Sequence, residues 1–108
     1  MKVAFTTSGD DLSAPLEQRF GRAPKFLVYD LDGGAFEVAD NVQNLNAAQG
    51  AGIQSAQAVA KLGAGALVSG HCGPKAFRVL SAAGVKIYPC AAATVGEALE
   101  LYRAGVLA

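Results

Sequence analysis

The alternation of apolar and polar positions divides the first half of the chain into short strands and turns. Lys2–Thr7, Lys25–Leu31 and Ala35–Asp40 are rich in the β-branched and aromatic residues that favour strands. Asp32-Gly33-Gly34 between the second and third runs is typical of a tight hairpin turn. Residues 8–24 lack such a pattern and are predicted to form a long loop.

The next segment changes to helical spacing. After a loop at 41–50, the residues Ile53, Ala56, Val59 and Ala60 recur at the period of a helix that ends near Gly63. The short apolar run Ala66–Ser69 is typical of a buried strand.

The last third repeats this pattern. Pro74 stands where a first helical residue is favoured, and Gly84 is a plausible end for that helix. Val85–Tyr88 is predicted as a strand, and Thr94 with Glu97 forms a capping box that opens a final helix.

The resulting order βββαβαβα predicts a single α/β domain over residues 1–108, with a mixed five-stranded sheet and helices packed on it. If the first strand pairs with the fourth, their carboxyl ends adjoin. The loops Thr6–Gly9 and Gly70–Gly73 would then flank one crevice, where such sheets bind ligands.

Composition restricts the class of protein further. Hydrophobic residues make up 52% of 108 residues, which suits one packed core. No apolar run approaches the roughly 18 residues that span a bilayer, and the apolar part of the first strand is too short for a signal peptide. The two cysteines therefore predict a cytoplasmic protein with free thiols, and a Cys72–Cys90 disulfide is the alternative.

The net charge is zero, but the charges are unevenly distributed. Seven of the nine acidic residues lie at or before Asp40, and none lies between Asn41 and Gly96. Arg19, Arg22 and Lys25 form a basic cluster. This distribution favours an anionic ligand, whereas the basic residues are too sparse for a nucleic-acid groove.

The segment Ser69–Phe77 (SGHCGPKAF) contains most of the residues that could bind a ligand or react. Its glycines and Pro74 would place the free amides of Lys75 and Ala76 at a helix N-terminus, where anions bind. Gly50-Ala-Gly52 would supply a second helix N-terminus. The alternative is that these glycines only make tight turns.

His71 and Cys72 are candidate metal ligands, but neighbouring residues rarely both bind one tetrahedral ion. The sequence has no further CxxC or HxxxH pair to complete a closed zinc site. An open site, whose ligand brings its own sulfurs, stays possible, and so does a purely structural role for His71.

The same residues match H-C-x5-R, the phosphate loop of cysteine-dependent phosphatases, with Cys72 as nucleophile. The match is poor, because Lys75 replaces a usual glycine, Pro74 lacks an amide hydrogen, and Arg78 would lie a full turn inside the helix. A two-metal nuclease is rejected because the first strand carries no carboxylate.

Three segments together closely resemble the dinitrogenase iron–molybdenum cofactor-binding family: Arg19–Phe26 (RFGRAPKF), Gly50–Ala56 (GAGIQSA) and Gly70–Phe77 (GHCGPKAF). The resemblance implies a ribonuclease-H-like fold and a small protein without catalytic turnover that carries a metal–sulfur cluster. Within the family, the chain is most similar to the orange proteins. This implies a molybdenum–copper sulfide cluster as cofactor, with the iron–molybdenum cofactor or its precursor as the alternative.

The family motifs fall on a defined set of residues here, and a protein that donates or receives the cluster is an implied partner. The cofactor-binding candidates are Arg19, Phe20, Gly21, Arg22, Gly50, Gly52, Ile53, Gly70, Gly73, Pro74 and Lys75, with Cys72 and His71 as metal-ligand candidates. Many relatives have a histidine just before GxGI, where this chain has Ala48-Gln49-Gly50, so direct iron coordination is less expected. A cluster-free interaction or regulatory domain of the same fold is the second hypothesis.

Overall fold

The structure is a computed structural model that describes residues 1–41 and 51–107. The predicted loop at 41–50, apart from Asn41, and the candidate Gly50 lie outside the described residues. The elements, in chain order, are β1 (Lys2–Thr7), a 3-10 helix (Phe20–Arg22), β2 (Lys25–Asp30), β3 (Phe36–Asp40), α1 (Ala51–Lys61), β4 (Ala66–Ser69), α2 (Pro74–Ala82), β5 (Lys86–Pro89) and α3 (Val95–Arg103). Within the described ranges no helix is both long and apolar enough to cross a membrane.

The five strands form one mixed sheet in the order β3-β2-β1-β4-β5. β1 pairs antiparallel with β2 and parallel with β4, so that Phe5 lies between Leu27 and Val68. β2 pairs antiparallel with β3, and β4 pairs parallel with β5. The predicted βββαβαβα order, the mixed five-stranded sheet and the ribonuclease-H-like fold are confirmed.

Successive residues of the central strands point to opposite faces of the sheet and build two cores. Ala4 and Leu67 face the side that carries α1 and α2, whereas Phe5 and Val68 face α3. Because both faces of β1 are covered, its residues Val3 to Thr7 are all buried. This explains why apolar and polar residues alternate only weakly along β1.

The turn between β2 and β3 is the predicted hairpin, and Gly34 takes a positive φ of 75°. Its amide donates to the Asp30 carbonyl at 2.8 Å, while the Asp30 carboxylate accepts from the amide of Asp32 at 2.9 Å. The carboxylate also accepts from the amide of Gly33 at 3.4 Å, and its bonds to the amides of Asp32 and Gly33 lower the pKa of the Asp30 carboxyl.

The final helix begins at the predicted cap. The Thr94 hydroxyl accepts from the amide of Glu97 at 3.2 Å, as expected, but the Glu97 carboxylate accepts from Ala93 rather than Thr94, at 3.1 Å. The side chain therefore reaches one residue further back than in a capping box.

The predicted loop at 8–24 is more ordered than its sequence suggests, because its second part runs beside the end of β4. The Glu17 amide donates to the Thr6 carbonyl at 2.8 Å, and the Phe20 amide donates to the His71 carbonyl at 2.9 Å. Arg19 and His71 form a parallel bridge. Local sequence could not show this pairing, since it joins residues about fifty positions apart.

The two segments approach so closely that a side chain at position 70 has no room. A Cβ on Gly70 would lie 2.4 Å from both the Cα and the carbonyl oxygen of Gln18. These are backbone atoms and cannot rotate away. A Cβ on neighbouring Gly73 would meet nothing within 4 Å.

We expect Gly70→Ala to lower the free energy of unfolding by about 1–3 kcal/mol, the usual cost of overpacking. Gly73→Ala is the matched control, because its φ of −66° suits any residue, and we expect a change of less than about 1 kcal/mol. Urea unfolding followed by circular dichroism measures both. Equal stability of the two variants would contradict the close approach.

Candidate functional site

A cleft opens where the first turns of α1 and α2 meet the 3-10 helix. Its volume is about 370 Å³, and it is lined by Phe20, Gly21, Gly52, Ile53, Gly73, Pro74, Lys75 and Ala76. We call it the helix-start cleft. All of its lining residues except Ala76 are among the candidates that the sequence named.

The two helices converge on the cleft because small residues let them pack closely at their first turns. A Cβ on Gly52 would lie 3.7 Å from the Cβ of Ala76, an ordinary van der Waals contact. Ala76 is 3% exposed. Its free amide was predicted at the helix start, but its side chain was not predicted as a wall of the cleft, because an alanine at helical spacing looks like any other core position.

Buried polar bonds fix the start of α1 against the loop that leaves the 3-10 helix. The Asn41 side-chain amide donates to the Ala23 carbonyl at 2.8 Å and to the Ser55 hydroxyl at 3.0 Å. Both side chains are fully buried, so these bonds form in a medium where leaving them unmade is costly. Sequence reasoning missed Asn41 and Ser55, which hold the position of the cleft wall.

Phe20 forms part of the cleft wall and also fills the core. It is 1% exposed, and its ring stacks on Phe26 with centroids 5.8 Å apart. Phe20 therefore anchors the 3-10 helix, while the neighbouring Gly21 leaves the cleft open.

The start of α2 supplies hydrogen-bond donors. Gly73 is the N-cap and offers no side-chain acceptor to the first turn, and Pro74 has no amide hydrogen. The amides of Lys75 and Ala76 have no intrahelical partner at these positions. Together with the helix dipole, they favour an anion in the cleft.

The charge around the cleft has the sign that an anion requires. Lys75 is exposed and lines the cleft, and none of the lining residues that the structure describes is acidic. Arg19 and Arg22 flank Phe20 and Gly21 and are exposed, although neither lines the cleft itself. None of these three cations forms an ion pair with another described residue.

His71 belongs to a different cavity. It lines a shallow cleft of about 450 Å³ together with Gln18, Gly70, Pro89, Cys90 and Ala91. Its backbone holds the neighbouring segment, since its amide donates to the Gln18 carbonyl at 2.5 Å. Gly70 lines this second cleft beside the backbone of Gln18 and does not line the helix-start cleft.

Cys72 packs against the core on the face of α1 and α2, whereas Cys90 is buried in the core on the α3 face. Both are free thiols, and their positions on opposite faces explain why they do not pair. Burial raises the pKa of the Cys72 thiol, which therefore stays protonated near neutral pH. Across the residues that the structure describes, no three His, Cys, Asp or Glu side chains are grouped to hold a metal ion.

This geometry does not suit a cysteine phosphatase. A phosphatase thiol requires a lowered pKa, and the pKa of Cys72 is raised. Arg78 lies within α2, one turn after Pro74, on an exposed position.

The sequence predicted a crevice between the loops Thr6–Gly9 and Gly70–Gly73, and this prediction was wrong for the first loop. Gly73 lines the helix-start cleft, but no residue of Thr6–Gly9 does. The Thr7 hydroxyl instead donates to the Pro15 carbonyl at 2.8 Å, and Glu17 pairs with Thr6. The chain after β1 therefore turns back and pairs with the carboxyl end of that strand. Phe20 and Gly21 line the cleft instead of the loop Thr6–Gly9.

Comparison with known proteins agrees with these features. The family profile described as dinitrogenase iron–molybdenum cofactor matches residues 1–105. An uncharacterized protein of Methanocaldococcus jannaschii is 28% identical over 109 aligned residues, which cover 99% of this chain and 89% of that protein.

Two solved structures are similar over nearly the whole chain. The apo form of the orange protein from Desulfovibrio gigas is 40% identical, with a TM-score of 0.96 over 99% of this chain and 90% of that one. A NifB-like protein from Thermotoga is 37% identical, with a TM-score of 0.85 over 98% of this chain and 90% of that one. The resemblance carried by RFGRAPKF and GHCGPKAF is thereby confirmed, and the chain belongs to the dinitrogenase iron–molybdenum cofactor family.

Proposed function

We propose that this protein binds and carries an anionic metal–sulfur cluster in the helix-start cleft, without catalytic turnover. The observation that carries the proposal is the cleft itself. Two helix starts and Lys75 surround about 370 Å³ of space, and no acidic residue is found among its described lining residues. The family match and the similarity to the orange protein support a cluster carrier.

The donors present suit a cluster that brings its own sulfide ligands. Amide hydrogens and a lysine can donate to sulfides, and helix dipoles balance negative charge. Phe20, Ile53 and Pro74 give the cleft apolar walls that limit the access of water. A bare metal ion would need several protein ligands, and the described residues offer no such group.

The cargo that we propose is a molybdenum–copper sulfide cluster, with an iron–molybdenum cofactor precursor as the alternative. The preference rests on the 40% identity to an orange protein. In this proposal Arg19, Arg22 and Lys75 balance the charge of the cluster, while the amides of Lys75 and Ala76 bind its sulfides. Cys72 and His71 are not needed as ligands.

A carrier must exchange its cargo with a donor or recipient protein, and we propose the cytoplasm as its compartment. The free thiols of Cys72 and Cys90 fit a reducing environment. The open cleft at the protein surface would allow transfer without unfolding.

Reconstitution tests the proposal directly. We expect the purified chain to take up tetrathiomolybdate together with copper(I), and to keep visible absorption and both metals through gel filtration. Albumin at equal concentration is the control for unspecific adsorption. A protein that stays colourless under these conditions and after addition of iron and sulfide would favour a cluster-free regulatory domain.

Charge reversal at the cleft should weaken retention. We expect Lys75→Glu, and the double change Arg19→Glu with Arg22→Glu, each to raise the dissociation constant about tenfold or more, since about 1.4 kcal/mol corresponds to tenfold. Lys61→Glu is the matched control on α1, because Lys61 is exposed at the far end of that helix. The differences should shrink in about 1 M salt, where charges are screened within about 3 Å. Equal retention by all variants would contradict electrostatic binding.

Cys72→Ala should leave retention nearly unchanged. The raised pKa of the folded thiol disfavours the thiolate until the pH exceeds that pKa, so ligation by Cys72 would strengthen retention as pH rises. We expect wild type and Cys72→Ala to show the same retention between about pH 7 and pH 9. A larger loss in Cys72→Ala than in Lys75→Glu would show that covalent ligation holds the cluster.

A further inference from the structure

A second groove lies between α2 and the edge strand β5. Its volume is about 470 Å³, and it is lined by Phe77, Ser81, Gly84, Val85, Lys86, Ile87 and Tyr88. We call it the α2–β5 groove. Of the described residues, none lines both this groove and the helix-start cleft.

The groove is apolar, and an aromatic side chain stands at its rim. Phe77 is 50% exposed, although it occupies a helix position next to buried Ala76. Val85, 3% exposed, and half-buried Ile87 line the groove with it. Exposed aromatic residues beside an apolar groove are characteristic of protein interfaces.

Positive charge lies at this apolar surface. Lys86 lines the groove, and Arg78 is exposed on α2 directly after Phe77. Neither cation is ion-paired within residues 1–41 and 51–107. Since the chain has no acidic residue between Asn41 and Gly96, a complementary surface must be acidic.

The occupant does not bind by adding a strand to β5. The amides of Lys86 and Cys90 donate inward, to the carbonyls of Gly65 at 3.1 Å and Ser69 at 2.8 Å. The amide of Val85 donates to the Leu80 carbonyl at 2.9 Å, and Pro89 has no amide hydrogen. Too few outward donors remain on β5 for a new ladder, so recognition must use side chains.

A second copy of this chain is a poor occupant. Four of the nine acidic residues of a copy lie on the β2–β3 hairpin (Asp30, Asp32, Glu37 and Asp40), and β3 is the edge of the sheet opposite β5. A contact between these two edges would be head-to-tail and would extend into open chains rather than close a dimer.

We propose that the α2–β5 groove docks a different protein, through an acidic surface that presents an apolar side chain against Phe77 and Ile87. Lys75 lines the helix-start cleft and Phe77 lines the groove, so α2 connects the two sites. The docked protein would sit beside the mouth of the cleft. Its role as cluster donor or recipient rests on the proposed function, whereas the docking itself does not.

The test uses the metal-free protein and two synthetic amphipathic peptides. Both carry leucine and phenylalanine on one face, and the other face carries glutamates in one peptide and lysines in the other. In NMR titrations we expect the acidic peptide, but not the basic one, to shift the amide resonances of α2 and β5. Phe77→Ser should weaken its binding about tenfold, and Phe36→Ser is the matched control, since Phe36 is a similarly exposed aromatic at the opposite sheet edge.

Three results would overturn the docking proposal: equal binding of both peptides, no shifts at millimolar acidic peptide, or unchanged binding by Phe77→Ser. Self-association of the protein alone in sedimentation, abolished by Phe77→Ser, would assign the groove to a second copy instead. Cluster uptake by Phe77→Ser is measured separately by visible absorption, and we expect it to match wild type. Loss of uptake in wild type with intact peptide binding would therefore refute the proposed function and leave the docking surface standing.

Discussion

The close backbone approach of Glu17–Phe20 to the end of β4 is the constraint on which the rest of the site depends. Gly70 permits it, because any side chain there would collide with the backbone of Gln18. The bond from the Phe20 amide to the His71 carbonyl then fixes the 3-10 helix beside the starts of both helices. Phe20 is buried as a result, and the neighbouring Gly21 becomes a wall of the helix-start cleft.

The donors around that cleft are of a kind that suits a bulky soft anion better than a metal ion. Amides and cations attract negative charge without a preferred coordination geometry, whereas a metal ion needs several directed ligands. Cys72 illustrates the difference, since it is partly buried against the core and its thiol pKa is raised. A cargo held in this way, as we propose, could be released without breaking metal–protein bonds.

The separation of His71 from Cys72 shows how a sheet distributes neighbouring residues. The two are adjacent in sequence and looked like a ligand pair, but they leave a strand whose successive side chains alternate between faces. His71 and Cys90 line the same cleft, whereas Cys72 packs against the core beneath α1 and α2. The helix α2 borders two further surfaces, because Lys75 lines the helix-start cleft and Phe77 lines the α2–β5 groove.

By itself the sequence determined the strands and α-helices and their order, since those follow from local periodicity, turn residues and caps such as Asp32-Gly33-Gly34 and Pro74, but not the 3-10 helix Phe20–Arg22. It also determined most of the cleft residues, because helix starts with glycine and proline have recognisable local patterns. Only the tertiary structure decided which of them meet. It showed that Thr6–Gly9 do not line the cleft, that Gly70 lies where Glu17–Phe20 passes the end of β4, and that Asn41 and Ser55 support the start of α1. The physical reason is that these roles depend on contacts between residues distant in sequence. A local sequence pattern does not indicate which distant residue will form the contact.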